Sequence, residues 1–269
     1  MKVLSSEKWL LGIWILLGGI LRFLNLGNKP IWTDEVATMV FSLGNDYESI
    51  PLNQVISLEQ LLQPLQINPQ ATLVDVASNL INQDNHPPLY FLLAHLWLQI
   101  FPSANSYLSV WVARSLPAIL GIVSIPLTYF LAKLSFRSSF VAQLAAGLMA
   151  FSPYGIFLAQ EARHYTLGIL LVILSLSCLI ITVRILYQHQ VIPWGLVYSW
   201  LLVNCLGLGI HYFFSLTLLA QSLLLIGLLI YQIKEKKISG RNWLRIAWVI
   251  LGTLLTALVW IIKILPPDF

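Results

Sequence analysis

Charged side chains are scarce in this sequence of 269 residues. Only 10% of the residues are charged, 58% are hydrophobic, and the mean hydropathy is +0.80. An ordinary soluble domain has roughly 25% charged residues. The polar side chains are too few to cover a folded surface in water, so most of the surface must face lipid. This composition excludes a soluble globular protein, a disordered chain, a collagen and a nucleic-acid-binding domain.

Cysteine is also scarce. The two cysteines, Cys178 and Cys205, both lie in long apolar stretches. We therefore expect two free thiols and no disulfide framework. The spacing of Cys and His residues does not match a zinc site either.

Acidic residues are few, and most of them lie in one segment. Seven of the eleven Asp and Glu residues lie between residues 27 and 85, where Lys29 is the only basic residue. They are Asp34, Glu35, Asp46, Glu48, Glu59, Asp75 and Asp84. Fifteen basic and eleven acidic residues give a net charge of +4. In a membrane protein, an excess of basic residues indicates the orientation of the chain more often than it indicates an anionic partner.

Long apolar runs predict membrane-spanning helices, each of which needs about 20 residues. We expect the first at 9–26 rather than a signal peptide, because no small-residue cleavage site follows and Arg22 can extend to the interface. The apolar stretch 89–101 is too short to cross and predicts a re-entrant or interfacial helix. The other predicted spans are 108–132, 138–158, 166–186, 192–210, 212–231 and 244–264. The predicted fold is an all-helical polytopic membrane protein with about seven transmembrane helices and one short helix.

Basic residues indicate which ends of these spans lie in the cytoplasm. The clusters placed inside are Lys133 with Arg137, Arg184, and the run at 234–241. The segments 27–88, 160–165 and 211–212 then emerge together on the non-cytoplasmic face. This assignment requires that 89–101 does not cross completely.

The chain is predicted to be a single membrane domain over residues 1–269. Its long external loop, 27–88, joins the first two helices and contains two amphipathic stretches, 36–43 and 71–81. We expect the apolar residues of both stretches to lie along the membrane surface.

Two adjacent acids, Asp34 and Glu35, follow the first span. Such carboxylates can bind a divalent cation, or one can act as a general base while the other positions it. The alternative is an ordinary helix start, in which Thr33 and Asp34 cap a helix through 36–41. The local pattern alone favours the helix start.

A second polar cluster, Gln-Glu-Ala-Arg-His-Tyr at 160–165, lies between two strongly apolar runs. Charged groups at a membrane boundary are costly, which favours a functional role. Arg163 suits a phosphate oxygen, and Glu161 suits a metal ion or pairing with that arginine. The alternative is that Glu161 and Arg163 simply extend to the interface at a helix end.

Three other positions are weaker candidates. His86 stands before two prolines that open a helix, as a site residue or as an exposed histidine at that helix start. His211 and Tyr212 lie between two predicted spans. We expect Arg114, inside an apolar run, to face the protein interior and contact the external loop.

Four motifs follow one another in the chain: Trp32-Thr-Asp-Glu35, His86-Pro-Pro-Leu-Tyr90, Ala113-Arg-Ser-Leu-Pro117 and Gln160-Glu-Ala-Arg-His-Tyr165. In this order they resemble the polytopic glycosyltransferases related to protein O-mannosyltransferases and aminoarabinose transferases, the family 39-like enzymes with the C-type fold. The resemblance covers nearly the whole chain. It rests on the set of motifs, since no single motif is specific.

The resemblance implies an inverting transfer of a sugar from a polyprenyl-phosphate donor to an acceptor hydroxyl or amine. The implied catalytic acid pair is Asp34, the base, with Glu35. The residues assigned to the donor phosphate or a second acidic site are Glu161, Arg163, His164 and His86. Tyr165, His211 and Tyr212 are assigned to substrate binding, and Asp34 and Glu161 to a divalent cation, Mg²⁺ or Mn²⁺.

The expected location is a bacterial plasma membrane, with the site on the non-cytoplasmic face, membrane lipids as partners and no nucleic acid. Members of the family have further spans, so we expect the chain to be an amino-terminal portion of a longer enzyme. The alternatives are a transporter or flippase of an amphiphilic lipid, and a noncatalytic scaffold. A transporter places polar groups near the bilayer midplane, often in repeats, and this sequence shows neither feature.

Overall fold

The computed structural model describes residues 2–48, 50–102 and 106–264. These residues are helical or irregular, apart from one isolated bridge between Gln66 and Tyr107. In chain order the helices are α1 (Lys2–Phe23), α2 (Thr33–Ser42), α3 (Leu58–Leu62), α4 (Leu73–Gln83), α5 (Leu89–Ile100), α6 (Val110–Phe136), α7 (Ser139–Phe151), α8 (Pro153–Ala159), α9 (Tyr165–Tyr187), α10 (Trp194–Ile210), α11 (Phe214–Lys234) and α12 (Gly240–Ile264), with a 3-10 turn at Gln63–Leu65. The predicted all-helical class is confirmed.

Several of these helices have the length and composition of membrane spans. Within the described ranges, α6, α9, α11 and α12 are long and apolar enough to cross, and the bent pair α7 and α8 makes a fifth if it is one span. Helices α5 and α10 are apolar but have only 12 and 17 residues. Four to five spans are therefore supported, and the prediction of about seven stays a prediction.

The span predicted as one run at 138–158 is interrupted. Helix α7 ends at Phe151, and α8 starts at Pro153 after a bend of 55°. Proline has no N–H to continue a helix. Oγ of Ser152 accepts a hydrogen bond from the N–H of Gly155 and caps α8. The predicted span at 138–158 stays a prediction, and its helix is broken at a point where hydropathy shows no break.

Arg22 satisfies the carbonyls that this break exposes. Its guanidinium donates to the backbone oxygens of Ala150 (3.1 Å) and Met149 (3.0 Å) and to that of Gly18 in α1. The side chain is fully buried. The prediction that Arg22 extends to the interface is wrong, since the end of α7 supplies acceptors inside the protein.

The loop between α1 and α5 packs in part against α5. Phe41 of α2, Val76 and Leu80 of α4 and Phe91 of α5 form one buried cluster. The predicted helices at 36–43 and 71–81 exist as α2 and α4. Other apolar residues of α4, Leu73, Val74 and Ile81, stay exposed, so the prediction that both stretches lie along the membrane surface stays a prediction.

The helices α9, α10 and α11 are joined by neutral polar groups in their buried interior. Ser175 donates to Oδ1 of Asn204 (2.7 Å), Gln221 donates to Ser175 (2.8 Å), and Trp200 donates to Gln221 (3.2 Å). Hydrogen bonds of this kind hold helices together in lipid. Cys178 and Cys205 are free thiols, as predicted.

Candidate active site

Four segments meet on one side of the helices. They are the first turn of α2, the turn at 84–88 before α5, the segment 160–164 between α8 and α9, and the segment 211–213 between α10 and α11. Each ends or begins a helix, so the backbone there has groups free for side chains or ligands.

Glu35 joins three of the surrounding elements. Its carboxylate accepts two hydrogen bonds from the Arg114 guanidinium, at 2.9 and 2.7 Å, and one from the N–H of Ala162 at 2.7 Å. Both charged side chains are fully buried. Arg114 also donates to the carbonyls of Leu26, Lys29 and Pro30. The prediction that Arg114 faces the interior and contacts the external loop is confirmed.

Asp34 lies in a different environment from its neighbour. Its side chain is 46% exposed, and its Oδ2 lies 3.5 Å from Nη2 of Arg163. Arg163 is itself held by the Asp34 carbonyl (3.1 Å) and Oγ1 of Thr38 (2.9 Å). Helix α2 has Trp32 as its N-cap and no side-chain cap. The alternative in which Thr33 and Asp34 cap this helix is therefore wrong, and the Asp34 carboxylate stays accessible.

Glu161 pairs with a lysine rather than with Arg163. Nζ of Lys29 lies 2.6 Å from Oε1 of Glu161 and 3.5 Å from the centre of the Phe157 ring. Glu161 and Arg163 are 2% and 4% exposed. The alternative in which they extend to the interface is wrong, because Lys29 and Asp34 bind them inside the protein.

A possible metal site at Asp34 and Glu161 has no preformed ligand set. Among residues 2–48, 50–102 and 106–264, no group of three or more His, Cys, Asp or Glu side chains is placed to hold a metal ion. Both acids already face cations of the chain, Arg163 and Lys29. A divalent cation at these acids stays a prediction.

Three histidines from separate segments form a cluster. The ring centres of His164 and His211 are 4.6 Å apart, and His86 lies 6.0 and 6.1 Å from them. Nδ1 of His86 donates to Oδ1 of Asp84 at 2.6 Å. His164 is 2% exposed, and neither of its ring nitrogens has a hydrogen-bond partner.

The surroundings of this cluster keep two of its rings neutral. Burial, followed by the charges of Arg163, His211 and His86, lowers the pKa of His164 to about 2. Burial also lowers the pKa of His211. Burial alone would raise the pKa of Asp84, but the hydrogen bond and charge of His86 and two backbone N–H groups outweigh it and lower that pKa. At neutral pH, the ionised Asp84 carboxylate therefore lies near the neutral rings of His164 and His211.

Two tyrosines border the cluster. The hydroxyl of Tyr212 donates to the Asn85 carbonyl at 2.5 Å and connects two of the four segments. Burial raises the pKa of Tyr212 to about 12, so this hydroxyl stays protonated and can donate at neutral pH. The ring of Tyr165 lies 4.8 Å from that of His164 and 5.6 Å from Cζ of Arg163.

An apolar cavity of about 530 Å³ lies beside His164 and His211. Its walls come from helices α6 to α11, including Leu131, Leu158, Ile169, Val172, Ile173 and Phe214. From His164 to Ile173 the wall extends about 14 Å along α9, at 1.5 Å per residue. A Cβ added to Gly168 would meet no neighbouring atom within 4 Å. Apart from Gly168, a glycine within an apolar helix, nothing in the sequence indicates this cavity.

The structure thus brings most of the predicted residues together. Asp34 lies beside Arg163, which precedes His164 of the histidine cluster, whereas Glu35 is enclosed by Arg114. The predictions missed Asp84 and the pairing of Lys29. No family model matches the sequence, and no curated protein matches it.

Proposed function

We propose that this chain is an inverting glycosyltransferase that uses a polyprenyl-phosphate-linked sugar at the non-cytoplasmic membrane face. One observation carries the proposal. A half-exposed carboxylate, Asp34, is held beside Arg163, and an imidazole cluster next to that arginine opens into an apolar cavity. An acid, a cation and a lipid-sized cavity are the parts needed for transfer from a lipid phosphate.

Asp34 is the general base in this proposal. Its carboxylate takes the proton from the acceptor hydroxyl or amine while that group attacks the anomeric carbon. The bond from this carbon to the phosphate oxygen breaks on the opposite side, and its electron pair stays on the phosphate. Attack from the opposite side inverts the configuration. Arg163 orients Asp34 and contributes positive charge near the departing phosphate.

Glu35 and Arg114 are positioning residues in this proposal. Neither side chain is exposed, so neither can contact the acceptor. Their double hydrogen bond fixes the first turn of α2 against α6, and the Ala162 N–H fixes the segment that carries Arg163. The relative position of Asp34 and Arg163 depends on this arrangement. A change of about 1 Å in such a position can cost 10²-fold in rate.

The cavity suits the lipid part of such a donor. Its walls are apolar along α9, and its polar end lies at His164 and His211. A polyprenyl chain lying there would hold its phosphate at the imidazoles and its sugar near Asp34. This division between an apolar body and a few polar groups is typical of amphiphile sites.

A transporter or flippase is the competing function. Broken helices in transporters expose backbone carbonyls that coordinate a coupling ion. The break between α7 and α8 has that form, but Arg22 already occupies the carbonyls of Met149 and Ala150. This arginine disfavours ion coupling at the break. A noncatalytic scaffold would have no use for a half-exposed acid beside a buried arginine.

We expect Asp34→Asn to slow sugar transfer strongly. We expect the protein in liposomes to transfer label from at least one of a panel of polyprenyl-phosphate sugars, and the variant to be slower by roughly 10²- to 10⁴-fold, the range for a general base. Glu59→Gln is the matched control, because Glu59 is an exposed acid of the same loop. Lipid translocation without transfer would favour the flippase, and full activity of Asp34→Asn would contradict the assignment of the base.

A further inference from the structure

The buried His164 ring lacks the hydrogen bonds that buried imidazoles normally make. A neutral imidazole carries one N–H donor and one acceptor nitrogen. Neither nitrogen of His164 is paired, although only 2% of the residue is exposed. Most buried polar side-chain atoms have a partner, and an exception calls for an explanation. His164 also lines the cavity, so a ligand there lies next to this unpaired ring.

The other two rings of the cluster have defined hydrogen positions. Nδ1 of His211 accepts a hydrogen bond from the N–H of Phe213 (3.0 Å). The neutral ring must therefore carry its hydrogen on Nε2, which is a donor. Nδ1 of His86 donates to Asp84. A carboxylate in this position orients an imidazole.

The charges around the cluster allow one proton to be added. Asp84 faces His86 on the turn before α5, and Arg163 adjoins His164 on the segment before α9. The rings of Tyr90 and Tyr165 complete the surroundings of His164. Without a ligand, Arg163 and the desolvation of the rings oppose protonation. An anion in the same low-dielectric space reverses this balance.

We infer that His86, His164 and His211 form a proton-coupled anion site, in which binding of a lipid phosphate is accompanied by uptake of one proton onto the imidazole cluster. This inference rests on the proposed function and adds a property to the same site. The proton comes from solvent and stays on the histidines, so no covalent bond to the ligand forms or breaks. The chemical class of the ligand is a phosphate ester with an apolar chain.

Proton uptake would favour sugar transfer over ground-state binding. The donor is a phosphodiester with one negative charge, whereas the departing monoester gains a second charge during the reaction. A cation at the cluster interacts more strongly with the departing phosphate than with the bound donor. Interactions that strengthen in this way accelerate the chemical step.

The test measures protons directly and does not require turnover. The probe is the methyl ester of farnesyl phosphate, a phosphodiester that stays a monoanion near neutral pH. Calorimetric titrations of the reconstituted protein at about pH 7 in buffers of different ionisation enthalpy report the protons taken up per lipid bound. We expect about one proton for the unaltered protein, near zero for His164→Gln, and binding weakened by roughly tenfold in that variant.

Two further variants keep the outcome interpretable. His211→Gln alters a partly exposed ring and should lower proton uptake without placing a new amide in a fully buried site. His189→Asn, on the exposed turn after α9, should behave like the unaltered protein. Binding without proton uptake would overturn this inference and leave the proposed function standing. Uptake that persists in both His164→Gln and His211→Gln would also overturn it, and absence of binding would overturn both proposals.

Discussion

Asp34 and Glu35 are neighbours in the sequence, yet their carboxylates lie in opposite environments. The Asp34 side chain is half exposed, whereas Glu35 is enclosed by Arg114. On a helix, adjacent positions point about 100° apart, so one can face the site while the other faces the interior. The acid pair predicted from the sequence therefore divides into a proposed base and a positioning residue.

This division predicts different effects of neutralising the two acids. Glu35→Gln leaves the buried Arg114 charge without its partner, which typically costs about 3–5 kcal/mol. Asp34→Asn should change stability little because its side chain is half exposed. The measurement is the midpoint of thermal unfolding in detergent. Equal midpoints for Glu35→Gln and the unaltered protein would contradict a structural role for the pair.

At the scale of single residues, several residues of the candidate site could be predicted from the sequence. Their contact partners could not be predicted. Glu161 and Arg163 stood out because charge is costly between apolar helices. The partner of Glu161 is Lys29, 132 residues earlier. The partner of Arg163 is Asp34, and Asp84 supports His86. Local spacing carries no information about such distant pairs, because tertiary folding brings them together.

The secondary elements show a similar limit. Apolar runs predicted the main helices, and Pro153 gave a local signal of the break between α7 and α8. Hydropathy alone joined these two helices into one span. It also gave no sign that Phe41, Val76 and Leu80 of α2 and α4 pack against Phe91 of α5.

The cavity beside α9 can be tested by filling it. Gly168→Leu adds a side chain where a Cβ meets no neighbouring atom, and replacing helical glycine contributes up to about 1 kcal/mol. We expect the variant to fold at least as well as the unaltered protein but to bind the farnesyl phosphodiester more than tenfold more weakly. The readout is the calorimetric dissociation constant together with the unfolding midpoint.

Gly227→Leu is the control for this change. Gly227 lies in α11, is exposed, and also has room for a Cβ, but it does not line the cavity. This variant should bind the lipid like the unaltered protein. If Gly168→Leu bound equally well, the lipid would have to lie elsewhere.

In the whole molecule, the proposed site requires that segments from distant parts of the chain lie on the same face of the membrane. Among the described residues, four to five helices have the length and composition of a span. The basic residues at the carboxyl ends of α6, α9 and α11 favour the opposite, cytoplasmic face. The number of crossings was the least predictable property, because short helices such as α5 have an apolar composition without a full span's length.

This arrangement predicts which positions react with a membrane-impermeant maleimide in sealed, right-side-out vesicles. In a background with Cys178 and Cys205 replaced by Ala, Glu59→Cys on α3 should be labelled before lysis. Lys237→Cys, exposed after α11, should be labelled only after lysis. Labelling of both positions from the same side would contradict the proposed face of the site.

The arginine in α1 has a consequence for the order of membrane assembly. Arg22 finds its buried acceptors 127 and 128 residues downstream, at the end of α7. At 5–20 residues per second of synthesis, these carbonyls appear roughly 6 to 26 s after Arg22. Until then, the Arg22 guanidinium lacks the two acceptors that α7 supplies. The final packing of α1 is therefore coupled to the arrival of the broken helix.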